Sequence, residues 1–429
     1  MRFLYNLLIR IVAPIAFGVH LSRGLRDPAY RDRPSERFGF GEPLGADSIW
    51  VHAVSVGEVQ ASQPLVRALL SRYPDRPLVL TTVTPTGAAR ARALFGDKVI
   101  HRYVPYDLLG SVRRFFDRVR PRLAVILETE LWPNLFAECG RRGVPLVLAS
   151  ARVSQRSVRR YRRLMPLFRA TLAHGIVIGA QSEADAERFI SIGASPGRTR
   201  VTGNVKFDFE LASGVAERGR EWRAENAPGR AVWVAGSTHE GEEELVLDAH
   251  AVVRSRFPGA MLVLVPRHPP RFEAVRALLD KRGVAYALRS RGDVAGPATE
   301  VVLGDTMGEL MTFYAGCDVA FVAGSLVPIG GHNLLEPASL GVPIVTGPHN
   351  FNAEDVFLKL EEAGAVRSVP DAAALGEAVA GLLDDPAARA AMGARGLGVI
   401  EANRGAVASL LDLIEPLMDR PPAGGPGSP

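Results

Sequence analysis

The sequence predicts an α/β protein built from two doubly wound, Rossmann-like domains. Short β-branched runs recur along the chain, each closed by a polar or Gly turn and followed by a helical pattern. The runs are continuously apolar rather than alternating, as in parallel strands covered on both faces. They also form two series, split by a charged, Gly-containing stretch without a strand, and one sheet of so many strands is improbable.

The first series lies at residues 48–54, 78–83, 123–127, 145–149 and 175–179, and the second at 231–235, 261–265, 301–303, 319–322 and 342–345. Domains are therefore expected at 22–206 and 231–400, joined by a linker at 207–230. A helix at 401–420 is expected to pack back on the first domain, and 421–429 (PPAGGPGSP) has the composition of a disordered tail. The two domains are expected to face each other across a cleft. Ligands of such sheets bind outside the carboxyl ends of the strands, so the residues after each strand deserve most scrutiny.

Residues 3–21 are mostly apolar, but Arg10 sits mid-segment, and Pro14 and Gly18 are expected to interrupt a helix. Arg2, Asn6 and Arg10 share one helical face, while Leu4, Leu7, Leu8, Ile11, Val12 and Ile15 share the other. That is the pattern of an interfacial membrane anchor rather than a cleaved signal. Residues 141–170 carry nine arginines, including Arg141, Arg142, Arg152 and Arg169, and no acid. Arginine suits bidentate phosphate recognition, which points to an anionic lipid surface or a phosphorylated acceptor. Few aromatics interleave and no nucleic-acid module is present, so nucleic acid is not expected as a partner.

With 429 residues, 47% hydrophobic and 23% charged, the chain is neither disordered nor fibrous. Two cysteines, Cys139 and Cys317, make neither a disulfide framework nor a C-x-x-C zinc pair, and the default setting is a reducing cytoplasm. The net charge of +5 agrees with an acidic partner without identifying it. Neither a G-x-G-x-x-G after the first strand nor a P-loop is present. No acidic pair follows an apolar strand convincingly; the nearest, Asp208 and Glu210, falls at the linker, and no essential metal is expected.

The first strand runs into Ser55-Val56-Gly57-Glu58. Glu58 falls in a first helical turn, where the dipole alone favours a carboxylate, and it is also placed to act as a general base at a cleft lip. The third run ends in Glu128-Thr129-Glu130-Leu131-Trp132-Pro133-Asn134. Glu128 and Glu130 are expected on one side of the strand, and two acids there are costly without cations. Lys206 is the candidate partner. In the second half, four polar turns follow strands: Gly236–Glu243, Pro266-Arg267-His268-Pro269, Gly304–Glu309, and Gly324-Ser325 leading to Gly330-Gly331-His332-Asn333-Leu334-Leu335-Glu336. The last reads as a Gly-rich turn opening a helix toward a phosphate, with Glu336 placed for a ribose diol. Together they favour a nucleotide pocket.

Taken in order, these motifs, with Gly203-Asn204-Val205-Lys206, closely resemble those of the bacterial 3-deoxy-D-manno-octulosonic acid (Kdo) transferases, from the N-terminal anchor to about residue 418. The resemblance implies a GT-B glycosyltransferase that moves Kdo from CMP-Kdo to the phosphorylated lipid A precursor, lipid IVA, at the cytoplasmic side of the inner membrane. It implies Glu58 as proton acceptor, and Glu128 and Lys206 as transition-state stabilisers. It also implies CMP contacts at Pro266, Arg267, Met307, Gly308, Glu309, Asn333, Leu334, Leu335 and Glu336. CMP-Kdo is then a donor substrate and no cofactor is called for. Two other readings remain open on the residues: a GT-B enzyme or epimerase using a UDP-sugar, and a non-enzymatic, membrane-bound anion-binding scaffold.

Overall fold

The computed structural model describes residues 2–45, 47–155, 157–158, 165–172, 175–209 and 211–419. The chain divides into two compact units, Met1–Phe209 with Asn403–Pro429, and Glu210–Ala402.

The first unit is a seven-stranded parallel sheet. Its strands are β1 (Ser48–His52), β2 (Leu78–Thr82), β3 (Ile100–Tyr103), β4 (Pro121–Leu127), β5 (Leu146–Ala151), β6 (Val177–Ala180) and β7 (Thr199–Val201), in the order β3-β2-β1-β4-β5-β6-β7. Alternate residues of β1 enter different cores: Ile49 and Val51 one, Trp50 the other. Both faces are therefore buried, which is why the strand reads as one apolar run. The helix Ala406–Met418 completes the first core with Leu410 and Ile414, each worth about 1.5–3 kcal/mol on full burial. Gly179 lets it approach, since a Cβ there would lie 2.6 Å from Leu410 Cδ2. Asp208 caps this helix, accepting from the backbone N–H of Gly405 (2.7 Å) and Val407 (2.5 Å). Its expected companion Glu210 lies outside the described residues, as does the tail from Arg420 on.

The second unit repeats the plan with β8 (Val232–Thr238), β9 (Met261–Pro266), β10 (Tyr286–Leu288), β11 (Val301–Leu303), β12 (Val319–Val322), β13 (Ile344–Thr346) and β14 (Val366–Ser368). Their order is β10-β11-β9-β8-β12-β13-β14, again all parallel. The order reverses between β1 and β4 in one sheet and between β8 and β12 in the other. These switch points open the crevices that hold ligands in doubly wound folds.

The boundary between the units falls within the expected linker at 207–230, but most of that stretch is part of the second unit. Val215–Asn226 is a helix of the second unit, with Trp222 edge-on to Phe313 at 5.3 Å and Gly219 against Ala315. Its charged outer face hid it, because only a narrow apolar stripe is buried. The N-terminal segment also differs from expectation: one helix runs unbroken from Arg2 to Arg23 through Pro14 and Gly18. Contacts on both sides of Pro14 hold it in line, Tyr5 Oη donating to Asp107 at 2.7 Å, Asn134 Nδ2 donating to Asn6 at 2.6 Å, and Phe17 packing on Phe38. The Asn6 face is thus turned to the protein, while Leu4, Leu7, Leu8, Ile11, Val12 and Ile15 are exposed. Among the described residues this is the one helix long and apolar enough to cross a membrane.

Candidate active site

The first unit's site forms at its switch point. β1 ends at His52, and the helix Val56–Ala61 starts four residues later, placing Glu58 in its first turn. Glu58 Oε2 turns back to accept the Val54 N–H at 2.8 Å. β4 ends at Leu127, and Glu128 takes a left-handed backbone (φ +58°). A non-Gly residue holds that conformation only where its surroundings enforce it, and such strain clusters at functional sites. The expected strand alternation of Glu128 and Glu130 therefore does not apply, because the strand has ended before either.

Glu128 is a bridging carboxylate. Its Oε1 lies 3.3 Å from Lys206 Nζ and its Oε2 3.3 Å from Arg152 Nε. Lys206 sits on the short turn Val205–Asp208, whose entry is fixed by Asn204 Oδ1 accepting the Lys206 N–H at 3.0 Å. Ser150, also left-handed at φ +52°, accepts the Val205 N–H and donates to Asn204. Glu58, Glu128, Lys206 and Ser150 line one small depression with Ala61, Leu127 and Val205. The sequence brought out the first three residues, and Arg152 only as part of the arginine-rich run, but not Ser150. The available signal was position, since Ser150 is the penultimate residue of the buried strand β5 and Arg152 directly follows it.

Burial chiefly pushes the Glu58 carboxyl up to about 7, and the negative charges of Glu128 and Glu130 add to it, against Lys206 and the Val54 N–H. Burial and then the Glu128 charge raise Glu130 as well. A carboxyl poised near neutrality beside a fixed ion pair can take a proton from an alcohol, and the pair can steady charge developing nearby. Elsewhere in the arginine-rich run, Arg141 and Arg142 are tied to Glu138, at 2.5 and 2.7 Å. Arg156, Arg159, Arg160, Arg162 and Arg163 lie outside the described residues.

In the second unit the expected nucleotide turns follow β11, β9 and β12, which with β8 occupy consecutive places in the sheet. Pro266 ends β9 and is buried; the Arg267 N–H bonds Thr238 O at 3.0 Å, and Arg267 is half-buried. Met307 is exposed, Gly308 is left-handed at φ +88°, and Glu309 is held by Arg289 at 2.7 Å, which keeps its carboxyl below the usual range. Leu334 and Leu335 are buried, so contacts there would come from backbone. Asn333 bonds Glu336 Oε1 at 3.2 Å.

Part of the Gly-rich turn is already occupied. The helix after the Gly-rich turn is only Leu335–Ser339, and the N–H groups of Gly330 and Gly331 are already spent on Gly324 O. The N–H groups of Gly324, Ser325 and Leu326 are taken by the Glu242 carboxylate, at 2.7, 3.0 and 3.0 Å. The Gly324–Leu326 part of the turn is thus filled by the protein's own anion.

The model of the family described as 3-deoxy-D-manno-octulosonic-acid transferase matches residues 32–209, and that of the group 1 glycosyl transferases matches residues 295–398. The chain is 40% identical to a 3-deoxy-D-manno-octulosonic acid transferase of Haemophilus influenzae, over 98% of this chain and 99% of that one. A transferase of the same description from Bordetella pertussis is 39% identical over 94% and 91%. A solved glycosyltransferase from Rickettsia africae, 10% identical with a TM-score of 0.57, covers 87% of this chain and 100% of its own, and shares the fold. With two Rossmann-like domains of the GT-B type and this likeness over nearly its whole length, the chain belongs to the 3-deoxy-D-manno-octulosonic acid transferase family of glycosyltransferases.

Proposed function

We propose that this chain transfers Kdo from CMP-Kdo to the phosphorylated lipid A precursor, lipid IVA, in lipopolysaccharide biosynthesis. The observation that carries the mechanism is the Glu58 carboxyl, poised near neutrality in the depression shared with Glu128 and Lys206. Glu58 accepts the proton of the acceptor hydroxyl as its oxygen bonds to the anomeric carbon. The bond from that carbon to the phosphate oxygen breaks, and CMP leaves with the electron pair. Direct displacement inverts the centre. Glu128 and Lys206 stabilise the charge that develops at the sugar, and Arg267 neutralises the phosphate of the leaving CMP. Pro266, Met307–Glu309 and Asn333–Glu336 hold the nucleotide in this reading, and no metal ion or cofactor takes part.

The exposed aliphatic face of Arg2–Arg23 supports attachment to the membrane that carries the acceptor, on the cytoplasmic side of the inner membrane. The test is incubation of the full chain with CMP-Kdo and a tetraacylated lipid A precursor, read by mass. A product heavier by Kdo, formed equally with chelator and not from UDP-sugars, is the expected result. No product from CMP-Kdo, or product only with added magnesium, would overturn the corresponding part.

A further inference from the structure

Three histidines converge in the second unit, and the mechanism above uses none of them. His239 follows β8, His268 follows β9, and His332 lies in the turn after β12, so the pair His239 and His332 flanks the switch point. The two rings are coplanar to within 4°, with centroids 5.0 Å apart and Nε2 atoms 2.8 Å apart. That is a head-to-head hydrogen bond, one ring donating its Nε2–H to the bare Nε2 of the other. His268 stands edge-on to His239 at 5.5 Å. Gly324 (φ +72°) makes room for the pair, since a Cβ there would lie 2.8 Å from His332 Cδ2.

The charges acting on these rings are one-sided. Arg267 acts on all three and Arg271 on His239, while His268 opposes the protonation of His239 and His332, and His239 that of His332. The nearby acids are committed elsewhere: Glu242 to backbone amides, Glu243 to Arg271 at 3.1 Å, and exposed Glu240 to Arg271 at 3.8 Å. Burial first, and then these cations, hold the three imidazoles below their ordinary range. Among the described residues no group of His, Cys, Asp or Glu is arranged to hold a metal ion. What remains is a cluster of neutral bases in a positive field, which an incoming anion would relieve.

We propose that His239, His332 and His268 form the subsite that recognises the carboxylate of the donor sugar, beside the phosphate held by Arg267. This rests on the CMP-Kdo reading above. An octulosonic acid carries its carboxylate on the anomeric carbon, adjacent to the bond that joins the sugar to phosphate. A donor of this class therefore needs two neighbouring anion sites, and an ordinary sugar nucleotide needs one. The carboxylate enters between the two Nε2 atoms, the 2.8 Å contact opens, and one proton is taken from water so that both rings donate to it. The cluster would then select an acid sugar by leaving a neutral one without that bond.

The experiment measures binding of CMP and of CMP-Kdo to the full chain by calorimetry, without acceptor. His332→Gln is expected to weaken CMP-Kdo about tenfold and CMP less than about twofold, the loss of one charge-assisted hydrogen bond. His268→Gln, at an exposed position that cannot disturb the core, is expected to weaken CMP-Kdo about threefold. Retained CMP affinity shows that the variants are folded. Because binding takes up a proton on rings whose free pKa lies below the ordinary 6.5, CMP-Kdo affinity of the unmodified chain falls as pH rises from that lowered range through neutrality, while CMP affinity does not. Equal losses for CMP and CMP-Kdo would make the histidines a phosphate site, and no loss for either would make them structural; both overturn the proposal. Failure of the unmodified chain to bind CMP at all would instead bring down the donor reading, and this inference with it.

Discussion

In each sheet the first strand in the chain is followed by a turn and a helix that carries a glutamate in its first turn: Glu58 after β1 and Glu242 after β8. Both carboxylates bend back to an amide of their own turn, Val54 at 2.8 Å and His239 at 3.3 Å. There the likeness ends. Glu242 is fully buried and accepts three further N–H groups from the turn after β12. Among the described residues Glu58 has only Ser55 Oγ besides, at 3.5 Å, and feels the charges of Glu128, Glu130 and Lys206. Burial raises both carboxyls; four N–H donors oppose it at Glu242, while like charges reinforce it at Glu58. One residue type at one place in the βα unit is a structural anion when donors surround it, and a base when acids do.

The sharpest way to break this comparison is Glu58→Gln. Loss of a positioned general base costs about 10²–10⁴-fold in turnover. The mass assay should show that loss, while CMP affinity stays unchanged because the change lies outside the nucleotide turns. Turnover retained within about tenfold would remove Glu58 from the chemistry.

Glu242→Gln tests the other side. The amide offers an NH2 group to a turn made of N–H donors, so at least one contact becomes donor against donor in a dry site. We expect the second unit to lose about 3 kcal/mol, read as an earlier thermal transition. Hydrogen exchange at Gly324, Ser325 and Leu326 should accelerate with it. Unchanged melting and protection would show that the buried carboxylate does not hold the turn.

What the sequence revealed divides along the same physical line. Every strand it disclosed is interior to a sheet, and every strand it hid is an edge. β3 (Ile-His-Arg-Tyr), β7 (Thr-Arg-Val), β10 (Tyr-Ala-Leu) and β14 (Val-Arg-Ser) end the two sheets. With one side unpaired, such strands are short, and β3, β7 and β14 carry polar residues, so no long apolar run marks them. The helix Val215–Asn226 was hidden for a similar reason, buried only along Val215, Gly219, Trp222 and Asn226. At the site, Glu58, Glu128 and Lys206 were legible because acids and a lone lysine stand out after apolar runs. Ser150 was not: a serine at φ +52° looks like any other serine, since backbone strain leaves no mark in composition. The Glu242 cradle was equally invisible, because it joins residues more than 80 positions apart.

Lys206 offers a finer test, since it shifts the balance at Glu58 without removing the base. Its charge opposes the rise of the Glu58 carboxyl, so Lys206→Met should carry that carboxyl above its present value near 7. The base works deprotonated, and the rate therefore climbs as pH rises through the Glu58 pKa. The acid limb of the pH–rate profile should accordingly move to higher pH, by on the order of half a unit to one unit for a half-exposed pair. A lower plateau at high pH would add the separate loss of Lys206 from the Glu128 ion pair. If the plateau falls and the limb stays in place, Lys206 acts on the sugar alone, and the tuning of Glu58 belongs to burial and the neighbouring glutamates.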